Sequence, residues 1–391
     1  MKLAIQLAFR NLIGAGLRTW LNALVLSFSF VVIIWMKGVM IGWDHQAKND
    51  MMRWEIAGGQ FWHENYDPYD PMSLDESHAP VPELISGEIA SGSAEPMLIL
   101  QGTLYPDGRM VSVNIKGIRP EQTLFALPSA SLNRASDALP AFIGAAFART
   151  TRLEVGDRTI LRWRDTNGTF DAAEIEIVEV FASNVPAVEM GLIYIPLNQL
   201  YEMSSLAGHA TVISFRDAEA LKEAPAGWVV KSRSDLTRQV DDMIKTKSAG
   251  QTVLYLILLL MAMLAIFDTQ VLSIFRRQKE IGTYIALGYT RQQVVGLFTV
   301  EGAMHAVLAA LLAAVYGMPF LIWQGRVGWT LPVDASDFGM AMAQTLYPVY
   351  SLGLVFSTTL LVLITTAVVS YLPARRIAKM NPTEALRGKL Q

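Results

Sequence analysis

Four stretches of the chain are apolar and almost free of charge: Thr19 to Met36, Ser248 to Phe267, Val294 to about Trp323, and about Tyr347 to Leu372. Each is close to the ~20 residues that a helix rising ~1.5 Å per residue needs to cross ~30 Å of hydrocarbon. The segment Asp44 to Lys247 has a different texture. Met110 to Ile115, Thr159 to Trp163 and Glu174 to Val180 alternate apolar and polar residues as half-buried strands do. Gly144 to Leu153 reads as a short helix, ended by a turn at Val155-Gly156-Asp157. The expected fold is therefore an α-helical membrane protein, with four transmembrane helices and a large mixed α/β domain inserted between the first and second. Its expected segments are a helix over 1–18, spans over 19–43, 248–275, 294–324 and 347–372, the inserted domain over 44–247, a short charged helix over 276–293, a loop over 325–346 and a tail over 373–391.

Charge gives the orientation. Lys2, Arg10 and Arg18 precede the first span; Arg276, Arg277, Lys279 and Arg291 lie between the second and third; Arg375, Arg376, Lys379, Arg387 and Lys389 follow the fourth. Only Glu280 and Glu384 oppose them, so the positive-inside rule places these three segments and both termini in the cytoplasm. Because the whole chain carries −3, the loops on the other side are acidic, which argues against nucleic acid as a partner. The basic start, the long apolar core and the lack of a small-residue cleavage pattern at Met40 to Asp44 predict an uncleaved first span rather than a signal peptide. Residues 1–18, with Lys2, Gln6 and Arg10 on one face, suit an interfacial amphipathic helix.

Several chemistries are absent. The chain has no cysteine, hence no disulfide, thiol nucleophile or thiolate metal site, and a large disulfide-free exterior domain suits a bacterial periplasm. His45, His63, His78, His209 and His305 have no metal-ligand spacing, and no phosphate-binding glycine loop precedes a lysine. No ATP site and no catalytic residue are expected, so ATP would be bound by another chain. Asn167-Gly168-Thr169 reads as a hairpin turn.

Glu301, about two turns into the third span, and His305 four residues on are intramembrane polar residues whose cost demands a partner. Lys37, near the outer end of the first span, is expected to snorkel. Trp54, Phe61, Trp62, Tyr66 and Tyr69 are interleaved with Asp67-Pro68 and Asp70-Pro71. That segment is either a contact surface for an apolar ligand or a loop pinned to its own domain.

Three motifs resemble the MacB/FtsX/LolC-LolE class of ABC transporter permeases. They are Leu7-Ala8-Phe9-Arg10-Asn11-Leu12 with Arg18-Thr19; Arg277, Lys279-Glu280-Ile281-Gly282, Ala286-Leu287-Gly288, Arg291 and Glu301-Gly302; and Pro373 to Ala378 with Asn381 to Arg387. Ile143-Gly144 through Gly156-Asp157, and Gly191 to Pro196, are similar to elements of that class's exterior domain. Ala303 to Ala314 departs from it, being alanine- and leucine-rich where the class is often glycine-rich. The resemblance implies a permease dimer, of identical or paralogous subunits, on an ABC ATPase dimer that supplies ATP and Mg in the inner membrane. It also implies that Arg276, Arg277, Lys279, Glu280, Ile281, Gly282, Ala286, Leu287, Gly288 and Arg291 form the coupling helix. Gly58 to His63 with Tyr66 is similar to a segment of lipoprotein-releasing permeases. Lipoprotein release is accordingly the first expectation, with Phe28, Trp35, Met36, Met40, Trp54, Phe61 and Trp62 as candidate cargo contacts beside the lipids. Export of small molecules or peptides with a periplasmic adaptor, and signalling to a cell-wall hydrolase, are the alternatives.

Overall fold

The computed structural model describes residues 17–134, 136–217, 224–331, 343 and 345–376. The N-terminal motif, the interfacial helix expected over 1–18 and the C-terminal signature from Asn381 therefore lie wholly or almost wholly outside the described residues. The chain divides into two compact units, one of residues 1–42, 244–329 and 346–391, the other of 43–243 with 330–345.

Four helices are long and apolar enough to cross a membrane. They are α1 (Leu17–Met51), α2 (Arg238–Arg276), α4 (Arg291–Val327) and α5 (Leu352–Ala374), with a short α3 (Gln278–Ala286) between α2 and α4. Both α1 and α2 extend beyond the charge-free stretches. Loss of apolar character marks where lipid ends, whereas a helix stops only where its hydrogen bonds do. The extensions are stabilised by Lys48, which pairs with Asp44 one turn back at 2.8 Å and with Asp241 of α2 at 2.6 Å. In the membrane unit, Leu26 and Phe30 of α1 meet Ala262, Met263 and Ile266 of α2, Ala306 and Ala309 of α4 and Val362 of α5. The alanine-rich stretch of the third span supplies a face of small residues. Gly302, Ala306 and Ala309 are buried, and a Cβ at Gly302 would collide with Ser370 and lie 3.1 Å from Gln270 Cδ.

The inserted unit is built on strands β1 (Gly59–His63), β2 (Ala79–Pro80), β3 (Ala94–Leu104), β4 (Val111–Ile118), β5 (Leu139–Gly144), β6 (Arg158–Arg164), β7 (Phe170–Phe181), β8 (Leu192–Pro196), β9 (His209–Ala210), β10 (Val212–Phe215) and β11 (Trp228–Ser232). The sheet order is β11-β1-β10-β3-β4-β8-β5-β7-β6, and β6 also pairs with β3. Six strands, β3 to β6 in that order, thus close into a barrel. The long β3 serves two neighbours on one edge: Ala94 to Met97 pairs with β10, and Gly102 to Leu104 pairs with β6. The three strands expected from alternation are β4, β6 and β7, and in β6 every second residue is buried. The turn at Asp165 to Thr169 closes the β6–β7 hairpin, as Asn167-Gly168 foretold. The core includes Leu98, Leu104, Ile115, Ile143, Leu161, Ile175, Ile177 and Ile193.

The stretch from Met51 to Pro82 is more ordered than a proline-broken loop. Met52–Ile56 form a π-helical turn, β1 follows, and Pro71–Glu76 form a 3-10 helix. Asp70-Pro71 starts that helix rather than breaking structure, because Asp70 accepts the Met72 N–H and proline fits the first helical position.

Deeper in the domain, Glu95 is 1% exposed and accepts the Arg119 N–H, Nε–H and Nη2–H at 3.0, 2.9 and 2.6 Å. Burial pushes the Glu95 carboxyl up, and the Arg119 bonds oppose that. Gly144 ends β5 where the Glu189 backbone crosses, and Glu189 accepts the Ala146 N–H at 3.2 Å and the Ser183 N–H. A Cβ at Gly144 would lie 2.6 Å from the Glu189 carbonyl oxygen. Gly144→Ala should cost ~1–3 kcal/mol by overpacking. Thermal unfolding of the detergent-solubilised chain should show it, with Gly87→Ala, which meets open space, as the neutral control. Equal unfolding temperatures for the two variants would contradict the close approach.

Candidate functional site: the turn between the second and third spans

Chain connectivity brings Arg277 and Glu301 together. The nine residues of α3 rise ~13 Å, and the first ten of α4 rise ~15 Å in return. A chain that doubles back at the Leu287 to Thr290 turn therefore sets Arg277 level with Glu301. Arg277 is the single non-helical residue between α2 and α3, with φ −104° and ψ 22°. Its Nη1 donates to both Glu301 carboxylate oxygens, at 2.7 and 2.9 Å, and its Nε donates to Glu280 at 2.7 Å. The guanidinium also lies 4.9 Å from the centre of the Phe298 ring. A planar cation thus meets the half-buried Glu301 carboxylate, the exposed Glu280 carboxylate and an aromatic face.

Apolar packing fixes the rest of α3. Ile281 is fully buried with Ile274, Val294, Val295, Phe298 and Ala374, and Tyr284 and Ile285 lean on the same cluster. The turn is built by Gly288 at φ +92°, which only glycine adopts readily, and by a reciprocal cap between Thr290 and Gln293 that starts α4. Its outer surface is Lys279, Glu280, Thr283, Ala286, Leu287, Gly288, Tyr289 and Arg291. Leu287 stands out as a large apolar side chain that is 72% exposed.

The expected coupling residues therefore separate into two groups. Arg277, Ile281 and Gly282 face this chain's own helices, so Ile281 and Gly282 do not present themselves to a second protein as expected. Arg276, Lys279, Glu280, Ala286, Leu287, Gly288 and Arg291 are exposed. Phe298 escaped sequence reasoning, although an aromatic one turn before an intramembrane acid is a visible signal. Glu301 finds its partner in Arg277, not in His305. The His305 ring is buried, with Nδ1 3.3 and 3.2 Å from the Glu301 and Gly302 carbonyl oxygens.

The expected cargo contacts are dispersed. In the membrane unit, Phe28 is exposed and lines an apolar groove of about 450 Å³ with Leu24, Val25 and Tyr316. Trp35 packs edge-on against Phe320 and Trp329 at 6.2 and 5.7 Å, while Met36, Lys37 and Met40 are half-buried. In the inserted unit, Trp54 stacks on Phe181 at 5.7 Å, and Phe61 is buried against Phe215 at 4.7 Å. Trp62 packs on Tyr66 and donates to Gln60 at 2.7 Å. These aromatics pin the segment to its own domain. Among the described residues, no three histidine or carboxylate side chains are grouped to hold a metal.

Glu301→Gln and Arg277→Met should each destabilise the chain. A double-mutant cycle, read by unfolding of the purified protein, should give a coupling of ~1–3 kcal/mol. Additive effects would show that the pair does not hold the turn.

Residues 252–382 match the FtsX-like permease C-terminal family. The macrolide export ATP-binding/permease protein MacB of Rhodopirellula baltica is 23% identical over 197 residues, 49% of this chain and 26% of that protein. MacB of Psychrobacter arcticus is 25% identical over 222 residues, 51% of this chain and 30% of that protein. An uncharacterized ABC transporter permease of Methanocaldococcus jannaschii is 30% identical over 144 residues, 34% of this chain and 30% of that protein. The chain thus spans under a third of the length of these relatives. The family match, which contains the whole of α3 and the Arg277–Glu301 pair, together with these relatives supports the ABC transporter permease class for this chain.

Proposed function

We propose that this chain is a permease subunit that couples an ABC ATPase to movement of its membrane helices and inserted domain, with α3 on the cytoplasmic side. The observation that carries this is the build of the turn. α3 is held inward by Ile281 and the Arg277–Glu301 pair, yet presents exposed Leu287 beside Lys279, Glu280 and Arg291. A rigid tip with one apolar anchor and a charged rim suits docking into another protein, and a bonded network behind it passes displacement to α4 rather than absorbing it. Docking of an ATPase dimer against two permease subunits follows from the same reading.

For cargo, export of small amphipathic molecules is favoured, because relatives named for macrolide and pyoverdine export align with this chain. Lipoprotein release is the second reading, and the apolar groove beside Phe28 supports it by suiting an acyl chain. Burial of Phe61 removes one of the side chains that had suggested it. Signalling to a cell-wall hydrolase draws no support from a particular residue.

Two experiments test this. Single cysteines introduced at Thr283 and Asn167, in a chain with none of its own, should show opposite reactivity toward an impermeant maleimide added outside spheroplasts. Asn167 should react and Thr283 should not, whereas labelling at Thr283 would reverse the proposed orientation. Separately, Leu287→Glu should leave the amount of chain in the membrane unchanged, because the side chain is already in solvent, yet abolish co-purification with the ATPase that accompanies the wild type. Undiminished co-purification would mean that α3 is not the docking element.

A further inference from the structure

The strand β1 and the strand β3 are joined by an excursion of the chain over 64–93, which carries the exposed apolar side chains Tyr69, Met72 and Leu84. Leu74 and Ile85 anchor it in the domain's apolar clusters, but between them its return at 78–81 is fastened by very little regular structure. β2 pairs with β9 through two residue pairs, Ala79 with Ala210 and Pro80 with His209, and Val81 N–H donates to Gly208 O at 2.9 Å. Pro80 has no N–H to give, so the ladder is short of a donor where it is already at its shortest. At the end of this ladder His78 and His209 meet ring to ring, with Nδ1 to Nδ1 at 3.1 Å and centroids 5.2 Å apart.

Two imidazole nitrogens at that distance need one proton between them. With one ring neutral, its Nδ1 accepts from the other. With both rings charged, two N–H groups point at each other, neither can accept, and like charges sit in contact. The charged groups that bear on His78 from outside the pair are His63 of β1, which repels a proton, and Asp75 of the 3-10 helix, which attracts one.

We propose that His78 and His209 form an acid-released clip, which holds the return of the excursion at 78–81 on β9 near neutrality and lets it go when both rings carry a proton. Burial holds both imidazoles below the usual histidine range, and at His78 the neighbouring His209 adds to this. The bound state therefore favours the less protonated pair. Its stability is full above the ordinary value of ~6.5 and is lost as pH falls through the depressed values. Beneath the clip, Ala79, Val81 and Ile89 cover the cluster of Phe61, Ile213, Phe215 and Trp228. Release uncovers an apolar surface as well as freeing a strap.

Hydrogen exchange of the full chain in detergent, at pH 7.5 and 5.0 and corrected for intrinsic rates, tests this. Protection of the amides of Ala79 and Val81 and of 208–211 should fall severalfold at the lower pH, while amides of the barrel strands β4 and β8 keep theirs. His209→Asn and His78→Asn each place an amide where Nδ1 stands, keep an acceptor, and remove the second charge. Each should lose clearly less protection in acid than the wild type, because only the burial of one remaining ring still opposes a proton. A wild type with no pH response, or variants that lose protection in acid as the wild type does, would overturn the clip and assign any response to His63 or Asp75. The wild-type response should survive chelator, and its loss there would show that a cation rather than a shared proton joins the rings.

Discussion

A guanidinium that has left water must be paid for on every side, and the turn between the second and third spans is organised around that requirement. Arg277 meets Glu301 on α4, Glu280 on α3 and the face of Phe298. Remove Glu301 and a half-buried cation remains with a single solvent-facing carboxylate, a state costly enough to reopen the turn. Everything outward depends on this. Ile281 stays buried because α3 is drawn against α4, and with that face inward, Leu287 has nowhere to point but out. The exposed tip at Leu287 is thus a consequence of the buried pair, ten residues after Arg277 and fourteen before Glu301.

Within the membrane unit the same logic appears in apolar form. Lipid offers no hydrophobic gain for bringing helices together, so close approach and interhelical hydrogen bonds must supply the attraction. Gly302 lets α4 reach Ser370 of α5 and Gln270 of α2, Ala306 and Ala309 continue the close face, and Asn22 bonds Thr269 and the Ala265 carbonyl across α1 and α2. Glu301 and Gly302 are adjacent, so the contact that holds α3 and the contact that holds α5 are one residue apart on α4.

The large features were legible because they rest on local patterns. Charge-free length gave four spans, alternation gave β4, β6 and β7, and Asn167-Gly168 gave the hairpin. Barrel closure was not legible, because β3 meets β6 some 60 residues later and no local pattern encodes such a pairing. Arg277 and Glu301 were both visible as unusual charges, but not as partners. Their matching needs the lengths of α3 and of the first turns of α4 together. The aromatics from Trp54 to Tyr66 were ambiguous, since a ring that serves a surface and a ring that pins a segment look alike until burial is known. Phe61 against Phe215 and Trp54 against Phe181 decide for pinning.

Stiffness in the inserted domain is uneven, and its distribution follows from how each part is bonded. In the six-stranded barrel every strand has a paired neighbour on both sides and all six share one apolar core, so the short β5–β8 ladder of two residue pairs is backed by packing. Opening any part of it would break many backbone bonds at once. The 64–93 excursion is anchored by buried Leu74 and Ile85 and by Arg119 donating to the Ile89 carbonyl, but between those anchors its return at 78–81 is held by a two-residue ladder containing a proline and by the paired imidazoles. Local opening draws on segments whose few contacts are the least expensive to lose. The barrel is therefore the fixed frame of this domain, and the return of the excursion at 78–81 is the part a small chemical change can move.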